Sequence, residues 1–147
     1  HESPVRPARF VTRKIVAAAC RISRGAPEKL TLGNLKIFRD WGWAPEYVEA
    51  MWRMLQQDEP DDYVVATGHT HRLEDFVAAA FAAVGLDWRA HVVSEPGFAR
   101  PNELRTSRAN PAKAQARLGW KATHAMADVV RLMIEAEGKG GDGATAP

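Results

Sequence analysis

A single arginine, Arg39, stands between a glycine turn and an aromatic loop, and its side chain could bind an anion. The turn contains Gly33 and Asn34, and the loop begins with Asp40 and Trp41. The planar guanidinium group of arginine binds phosphate oxygens through two parallel hydrogen bonds. Asp40 could fix the angle of this group, or the two residues could form a purely structural ion pair. The residues alone leave both interpretations open.

Two other places in the sequence carry charges that could contact an anion. Lys14 lies one turn after Phe10, near the start of a predicted helix, where backbone amides and the helix dipole favour anions. Arg100 and Glu103 lie on a proline-stiffened loop after a predicted strand, and together they could hold a phosphate and a sugar hydroxyl. The alternatives are a solvated helix face for Lys14 and a surface loop for the other two.

The histidines and tryptophans of this sequence carry weaker signals. His69 and His71 have no cluster of further ligands at suitable spacing, so we predict no metal site. Trp41, Trp43 and Trp52 could stack on a base, or they could belong to the core. Trp52 falls on the apolar stripe of a predicted helix, which favours the core.

Several catalytic motifs are absent from the sequence. No glycine pattern opens a helix as a dinucleotide cradle, and there is no nucleophile elbow or phosphate-binding loop. The residues four positions after Tyr47 and Tyr63 are Met51 and Thr67, so there is no Tyr-x-x-x-Lys pair. Cys20, in a run of small residues, is typical of a buried thiol. The residues alone therefore predict an α/β segment with a candidate anion-binding loop and no complete catalytic set.

Composition excludes several classes of protein. The 147 residues suffice for one domain with a core, and 46% hydrophobic and 26% charged residues are globular values. A net charge of +2, spread along the chain, does not indicate a nucleic-acid partner. No apolar run reaches membrane-spanning length. The single cysteine fits a reducing compartment, so we expect a cytoplasmic protein.

Apolar periodicity and stop signals predict helices alternating with short strands, which indicates an α/β fold. The predicted helices cover residues 10–24, the run after Pro45, 73–84, 110–119 and the run from Met126. The predicted strands are residues 29–33, 63–68 and 88–95, the second of them buried on both faces. Three short strands make a thin sheet for five helices, which suggests that further strands belong to an amino-terminal part. Residues 138–147 are predicted to be a disordered tail.

Five stretches together resemble one family. They are "HESPVR", "FVTRKI", "LTLGNL", "RDWGWAPEYVEAMWRMLQQDEPDDYVVATG" and "RANPAKAQARLGW". These resemble the carboxy-terminal half of the GDP-mannose 4,6-dehydratases, which are extended short-chain dehydrogenase/reductase enzymes. The resemblance implies that residues 1–137 are the substrate-binding carboxy-terminal portion of a Rossmann-like fold, with an incomplete sheet and substrate-binding helices.

The resemblance also implies an activity. Family members convert GDP-mannose to GDP-4-dehydro-6-deoxymannose by NADP-mediated internal hydride transfer and loss of water, and they commonly form homo-oligomers. The family's catalytic residues match nothing in this sequence, so the segment alone is predicted to be inactive. The alternatives are a non-catalytic nucleotide-sugar-binding or dimerising fragment, and a related nucleotide-sugar epimerase or reductase.

The resemblance carries over to individual residues. It implies that His1 and Arg6 contact NADP. It implies that the GDP-sugar is bound by residues from three loops and a helix start: Val11, Lys14, Gly33, Asn34, Arg39, Arg100 and Glu103. In this assignment Arg39 contacts the pyrophosphate.

Overall fold

Helices and short strands alternate along the chain, as the α/β prediction requires. The structure is a computed structural model and describes residues 1–95, 97 and 104–141. In chain order the elements are α1 (Val11–Ser23), β1 (Leu30–Leu32), β2 (Phe38–Arg39), α2 (Ala44–Met54), β3 (His71–Arg72), α3 (Leu73–Ala82), a 3-10 turn (Trp88–Ala90), β4 (Val92–Ser94), α4 (Ala112–Leu118) and α5 (Met126–Gly141). All five predicted helices are confirmed. Within the described residues, no helix has both the length and the apolar character needed to cross a bilayer.

The described strands form two small sheets rather than one. Strands β1 and β4 are parallel, with Leu30 opposite Val92. Strands β2 and β3 are antiparallel, with Arg39 opposite His71. The prediction of an incomplete sheet is therefore confirmed. The pairing of β2 with β3 was not predicted, because a two-residue strand has no periodicity to read.

The main core lies where α1, α3 and α5 pack against one another. Ile15 of α1, Phe76 and Phe81 of α3, and Met133 of α5 are all completely buried. Burying each such side chain stabilises the fold by roughly 1.5–3 kcal/mol relative to leaving it exposed. This three-helix packing fixes the start of α1 beside the start of α3.

A second, smaller core joins α2 to α4. Tyr47 and Ala50 of α2 pack with Ala114, Leu118 and Trp120. The opposite face of α2 is exposed, and Trp52 on that face is 60% exposed. The expectation that Trp52 belongs to the core is therefore wrong. The apolar stripe of α2 is broader than the surface that α4 covers, and Trp52 lies beyond it.

The predicted strand at residues 63–68 is not a strand in the structure. Ala66 is buried but Val64 is 49% exposed, so the segment is not buried on both faces either. The backbone N–H groups of Thr67 and Gly68 donate to the carboxylate of Asp40, at 3.3 and 2.9 Å. These two N–H groups donate to a side chain, whereas in a strand they would donate to backbone carbonyl groups of a neighbouring strand.

Two other boundaries differ from the predictions. The predicted strand at residues 88–95 begins as a 3-10 turn, and only Val92–Ser94 pairs with β1. Asp87 causes this, since its side chain accepts a hydrogen bond from the backbone N–H of Arg89 and so favours a turn. Helix α5 continues to Gly141, so residues 138–141 of the predicted tail are helical. Residues 142–147 lie outside the described residues.

Candidate functional site

A cavity of about 450 Å³ lies between the start of α1, the turn after β1, the strand β2 and the start of α3. This volume is within the range of ligand sites in proteins. Its walls combine charged, polar and apolar side chains. The lining residues are Arg9, Phe10, Val11, Lys14, Thr31, Leu32, Gly33, Asn34, Ile37, Arg39, Trp41 and Leu73.

The first turn of α1 forms one wall of the cavity. Phe10 precedes the helix and provides no side-chain cap, and the first turn contains no acidic residue. The first backbone N–H groups of a helix lack partners within the helix and carry partial positive charge. Lys14 lies one turn further and donates from Nζ to the carbonyl oxygen of Thr31, at 2.8 Å. This bond joins α1 to β1 and places a cation at the cavity wall.

The turn after β1 contributes Gly33 and Asn34. The carbonyl oxygen of Gly33 accepts a hydrogen bond from Oγ of Ser94, at 2.8 Å, which ties the turn to β4. The Oδ1 atom of Asn34 accepts from the backbone N–H of Lys36, at 2.9 Å. Asparagine favours this local turn, which mimics a backbone turn. The turn is therefore held at both ends beside the cavity.

The segment around β2 presents every second residue to the cavity. Ile37, Arg39 and Trp41 all line it, as the alternation of side chains in extended backbone requires. Nη1 of Arg39 donates to the carbonyl oxygen of Phe38, at 2.7 Å, and the residue is half-buried. In the described part of the chain, Arg39 has no carboxylate partner.

The carboxylate of Asp40 binds Thr67 and Gly68, although its position beside Arg39 suggests an ion pair. Its Oδ1 accepts from Oγ1 of Thr67 at 2.7 Å, and its Oδ2 accepts from the backbone N–H of Gly68. It forms no ion pair with Arg39 among the described residues. Asp40 therefore neither orients nor neutralises the neighbouring guanidinium group, and the structural Arg-Asp pair considered above is not observed.

The two residues predicted to contact a cofactor do not line the cavity. The ring of His1 lies 4.7 Å from that of Tyr47, measured between centroids. Arg6 lies over the ring of Phe10, 3.7 Å from its centroid. Its Nε is 3.3 Å from Oε2 of the buried Glu2. Arg6 therefore belongs to a cluster beside the start of α1, and Glu2 is its only acidic partner among the described residues.

The remaining predicted site residues, Arg100 and Glu103, lie outside the described residues. The structure thus brings together five of the residues assigned to the substrate by resemblance: Val11, Lys14, Gly33, Asn34 and Arg39.

Sequence reasoning missed several residues of the cavity wall. Arg9 was detectable, because it adjoins Phe10 at the start of a predicted helix. Trp41 was identified only as a candidate for stacking or for the core. It is buried, and its ring lies 5.1 Å from that of Phe76 between centroids. Thr31 and Leu73 gave no signal, since only the tertiary fold places them beside the cavity.

The electrostatics of the cavity favour an anion. Its described lining includes three cationic side chains, Arg9, Lys14 and Arg39, and no carboxylate. No histidine lines it either, so the described walls offer no side chain that exchanges protons near neutral pH. Nearby, burial raises the pKa of Tyr47, with help from the charge of Asp40, so its phenol stays protonated. The arrangement can bind and orient a ligand rather than move protons.

Solved structures of two enzymes share the fold of this chain. RMD from Pseudomonas aeruginosa, complexed with NADPH, superimposes with a TM-score of 0.84 at 18% identity, covering 94% of this chain and 46% of that one. The dTDP-glucose 4,6-dehydratase of Bacillus anthracis, in complex with NAD, gives 0.83 at 13% identity, covering 97% and 43%. The chain therefore has part of the fold of the extended short-chain dehydrogenases/reductases.

Sequence comparison identifies the family within that class. The family model "GDP-mannose 4,6 dehydratase" matches residues 1–133, and the chain belongs to this family. It is 47% identical to GDP-mannose 4,6 dehydratase 1 of Arabidopsis thaliana over 135 residues, covering 92% of this chain and 37% of the relative. It is 40% identical to the Homo sapiens enzyme over 154 residues, covering 93% and 41%. The chain thus spans about two-fifths of the length of these relatives.

Proposed function

We propose that this chain is the GDP-sugar-binding part of a GDP-mannose 4,6-dehydratase that uses NADP. The observation that carries the proposal is the cavity described above. Five residues that the resemblance assigns to the substrate line this one cavity, although they are spread from Val11 to Arg39 in the sequence. Family membership supports the reaction: GDP-mannose is converted to GDP-4-dehydro-6-deoxymannose, with loss of water.

In this proposal the diphosphate of the ligand lies between Arg39 and the first turn of α1. Arg39 can offer two N–H donors to one phosphate, since one Nη1 bond to Phe38 leaves the rest of its fork available. Val11 and Lys14 at the start of α1 line the same cavity, and this helix has no side-chain cap at its N-terminus. Lys14, held by Thr31, adds a positive charge to the same wall. We assign the turn at Gly33 and Asn34 to packing against the nucleotide.

The sequence contains no glycine pattern typical of a dinucleotide cradle, so we do not assign the main part of an NADP site to this chain. The bound cofactor would supply the hydride acceptor and donor for the internal transfer. We propose only that His1 and Arg6 contact it from the edge of this segment. We also propose that Arg100 and Glu103 complete the GDP-sugar site, that the intact enzyme is a cytoplasmic homo-oligomer, and that it has no nucleic-acid or membrane partner. The segment alone is expected to have no turnover.

A second candidate function is nucleotide-sugar binding without catalysis. It is favoured by the absence of proton-exchanging side chains from the described lining of the cavity. Both candidates require the same ligand, so the first experiment concerns binding.

Calorimetric titration of the chain with GDP tests the proposal. We expect wild-type protein to bind GDP, and Arg39→Ala to weaken binding by one to two orders of magnitude. This is on the order of 2 kcal/mol, as expected for one charge-assisted contact to phosphate. Arg117→Ala is the matched control, because Arg117 is an exposed arginine of α4 that does not line the cavity. Absence of GDP binding by the wild type, or equal affinities of the Arg39 and Arg117 variants, would overturn the proposal.

A further inference from the structure

Arg9 lines the same cavity, yet no family position and no sequence pattern assigned it a role. We infer that Arg9 is a third anion-binding side chain of this site, which contacts the diphosphate of the nucleotide from the mouth of the cavity. The inference rests on the proposed function, because it names a further ligand contact within the same cavity.

Arg9 is positioned by an aromatic ring. Its guanidinium carbon lies 5.1 Å from the centroid of Phe10. The same ring also carries Arg6, at 3.7 Å. A guanidinium group stacks favourably on an aromatic face, which restricts its rotation without neutralising it. Phe10 therefore holds Arg9 beside the first turn of α1.

The two arginines beside Phe10 differ in their charge environment. Arg6 is paired with the buried carboxylate of Glu2 and does not line the cavity. Arg9 has no ion pair with any described residue, and it does line the cavity. The positive charge of Arg6 is thus already compensated within the fold, whereas the charge of Arg9 is available to a ligand.

Exposure sets the size of the expected effect. Arg9 is an exposed residue, whereas Arg39 is half-buried. Water and salt screen an exposed charge more strongly than a partly buried one. Arg9 should therefore contribute less to affinity than Arg39, and its contribution should decrease more steeply as salt is added.

Titration of the full chain with GDP, GMP and guanosine tests the inference. We expect Arg9→Ala to weaken GDP binding three- to ten-fold at low salt, to weaken GMP binding less, and to leave guanosine binding unchanged. Arg9→Lys keeps the charge and should retain most of the affinity for GDP, whereas Arg9→Glu should lose more than the alanine variant. Raising the salt concentration should reduce the difference between wild type and Arg9→Ala.

The outcomes separate this inference from the proposed function. If the wild type binds GDP and Arg39→Ala weakens it, but Arg9→Ala matches the Arg117→Ala control, only the role of Arg9 is refuted. Equal losses for GDP and guanosine would refute it as well, because they would indicate disturbed packing around Phe10. If the wild type binds no GDP, the proposed function itself fails. Circular dichroism of each variant verifies that its helices are intact.

Discussion

Replacing Asp40 with alanine removes the acceptor that ties β2 to residues 67 and 68. The carboxylate accepts from Oγ1 of Thr67 at 2.7 Å, from the N–H of Gly68 at 2.9 Å and from the N–H of Thr67 at 3.3 Å. The first two bonds have good lengths, and the third is long. In Asp40→Ala the two backbone donors lose their only described acceptor, so the free energy of unfolding should decrease.

The magnitude follows from the two good bonds. Hydrogen bonds to a charged group contribute about 1.5–3 kcal/mol each, and the lower figure applies because Asp40 is only half-buried. The expected loss is therefore about 3 kcal/mol, against a total stability of roughly 5–15 kcal/mol for a domain of ordinary size. Asp40→Asn keeps one acceptor oxygen, so it should lose about half as much.

Urea unfolding of the full chain measures this loss. At a slope of about 1.5 kcal/mol/M, the midpoint of Asp40→Ala should fall by about 2 M with the slope unchanged. Asp87→Ala is the matched control, since among the described residues its exposed carboxylate accepts a single backbone bond, from Arg89 at 3.1 Å. A midpoint for Asp40→Ala no lower than that of the Asp87 variant would refute the reasoning.

Two further substitutions test packing and electrostatics elsewhere. Gly42→Ala should lower the thermal midpoint, because a Cβ atom at this position would overlap the ring of Tyr47, and such overpacking costs about 1–3 kcal/mol. Glu46→Gln should reduce the loss of stability in acid, as measured by urea midpoints between neutral pH and pH 3. Burial opposes ionisation of Glu46, but hydrogen bonds from Thr123 and His124 outweigh it and lower its pKa. Its stabilising effect is therefore full at neutral pH and is lost as the pH falls below about 4.3, the ordinary value for glutamate.

Each of these substitutions has a control within the chain. Gly138→Ala adds a Cβ atom with no neighbour within 4 Å, so it should not lower the thermal midpoint. A loss as large as that of Gly42→Ala would show that steric overlap is not the cause. Glu59 is exposed, so Glu59→Gln should leave the acid dependence of the wild type intact. The interpretation of Glu46 is wrong if its glutamine variant loses as much stability in acid as this control does.

Local patterns predicted the helices well, because their signals lie within a few residues. The apolar stripe from Leu73 to Phe81 and the stop signal at Gly85 are sufficient for α3, and Gly119 ends α4 in the left-handed region with a φ of 60°. Strand pairing was harder to predict from the sequence. Nothing in the sequence indicates that residues 67 and 68 bond to Asp40, since that contact joins segments 27 residues apart.

The residues of the cavity likewise fall into those that sequence could identify and those that only the tertiary fold brings there. Family resemblance identified Arg39 and Lys14 residue by residue, and chemistry alone gave a reason why each could face an anion. Neither the resemblance nor the chemistry could show that the carboxylate of Asp40 would point away from Arg39, because the direction of a side chain depends on the register of β2. Thr31 and Leu73 contribute to the walls through tertiary packing, which no short pattern encodes.

Because side chains alternate along β2 and the residue that follows it, this short backbone contributes both to the cavity wall and to a contact with residues 67 and 68. Arg39 lines the cavity, while the next residue, Asp40, does not line it and accepts hydrogen bonds from Thr67 and Gly68. A displacement of this backbone by a ligand in the cavity would reach Thr67 through Asp40, although Thr67 does not line the cavity. Laboratory evolution toward tighter nucleotide binding would therefore be expected to return changes at positions 67 and 68 as well as in the cavity walls.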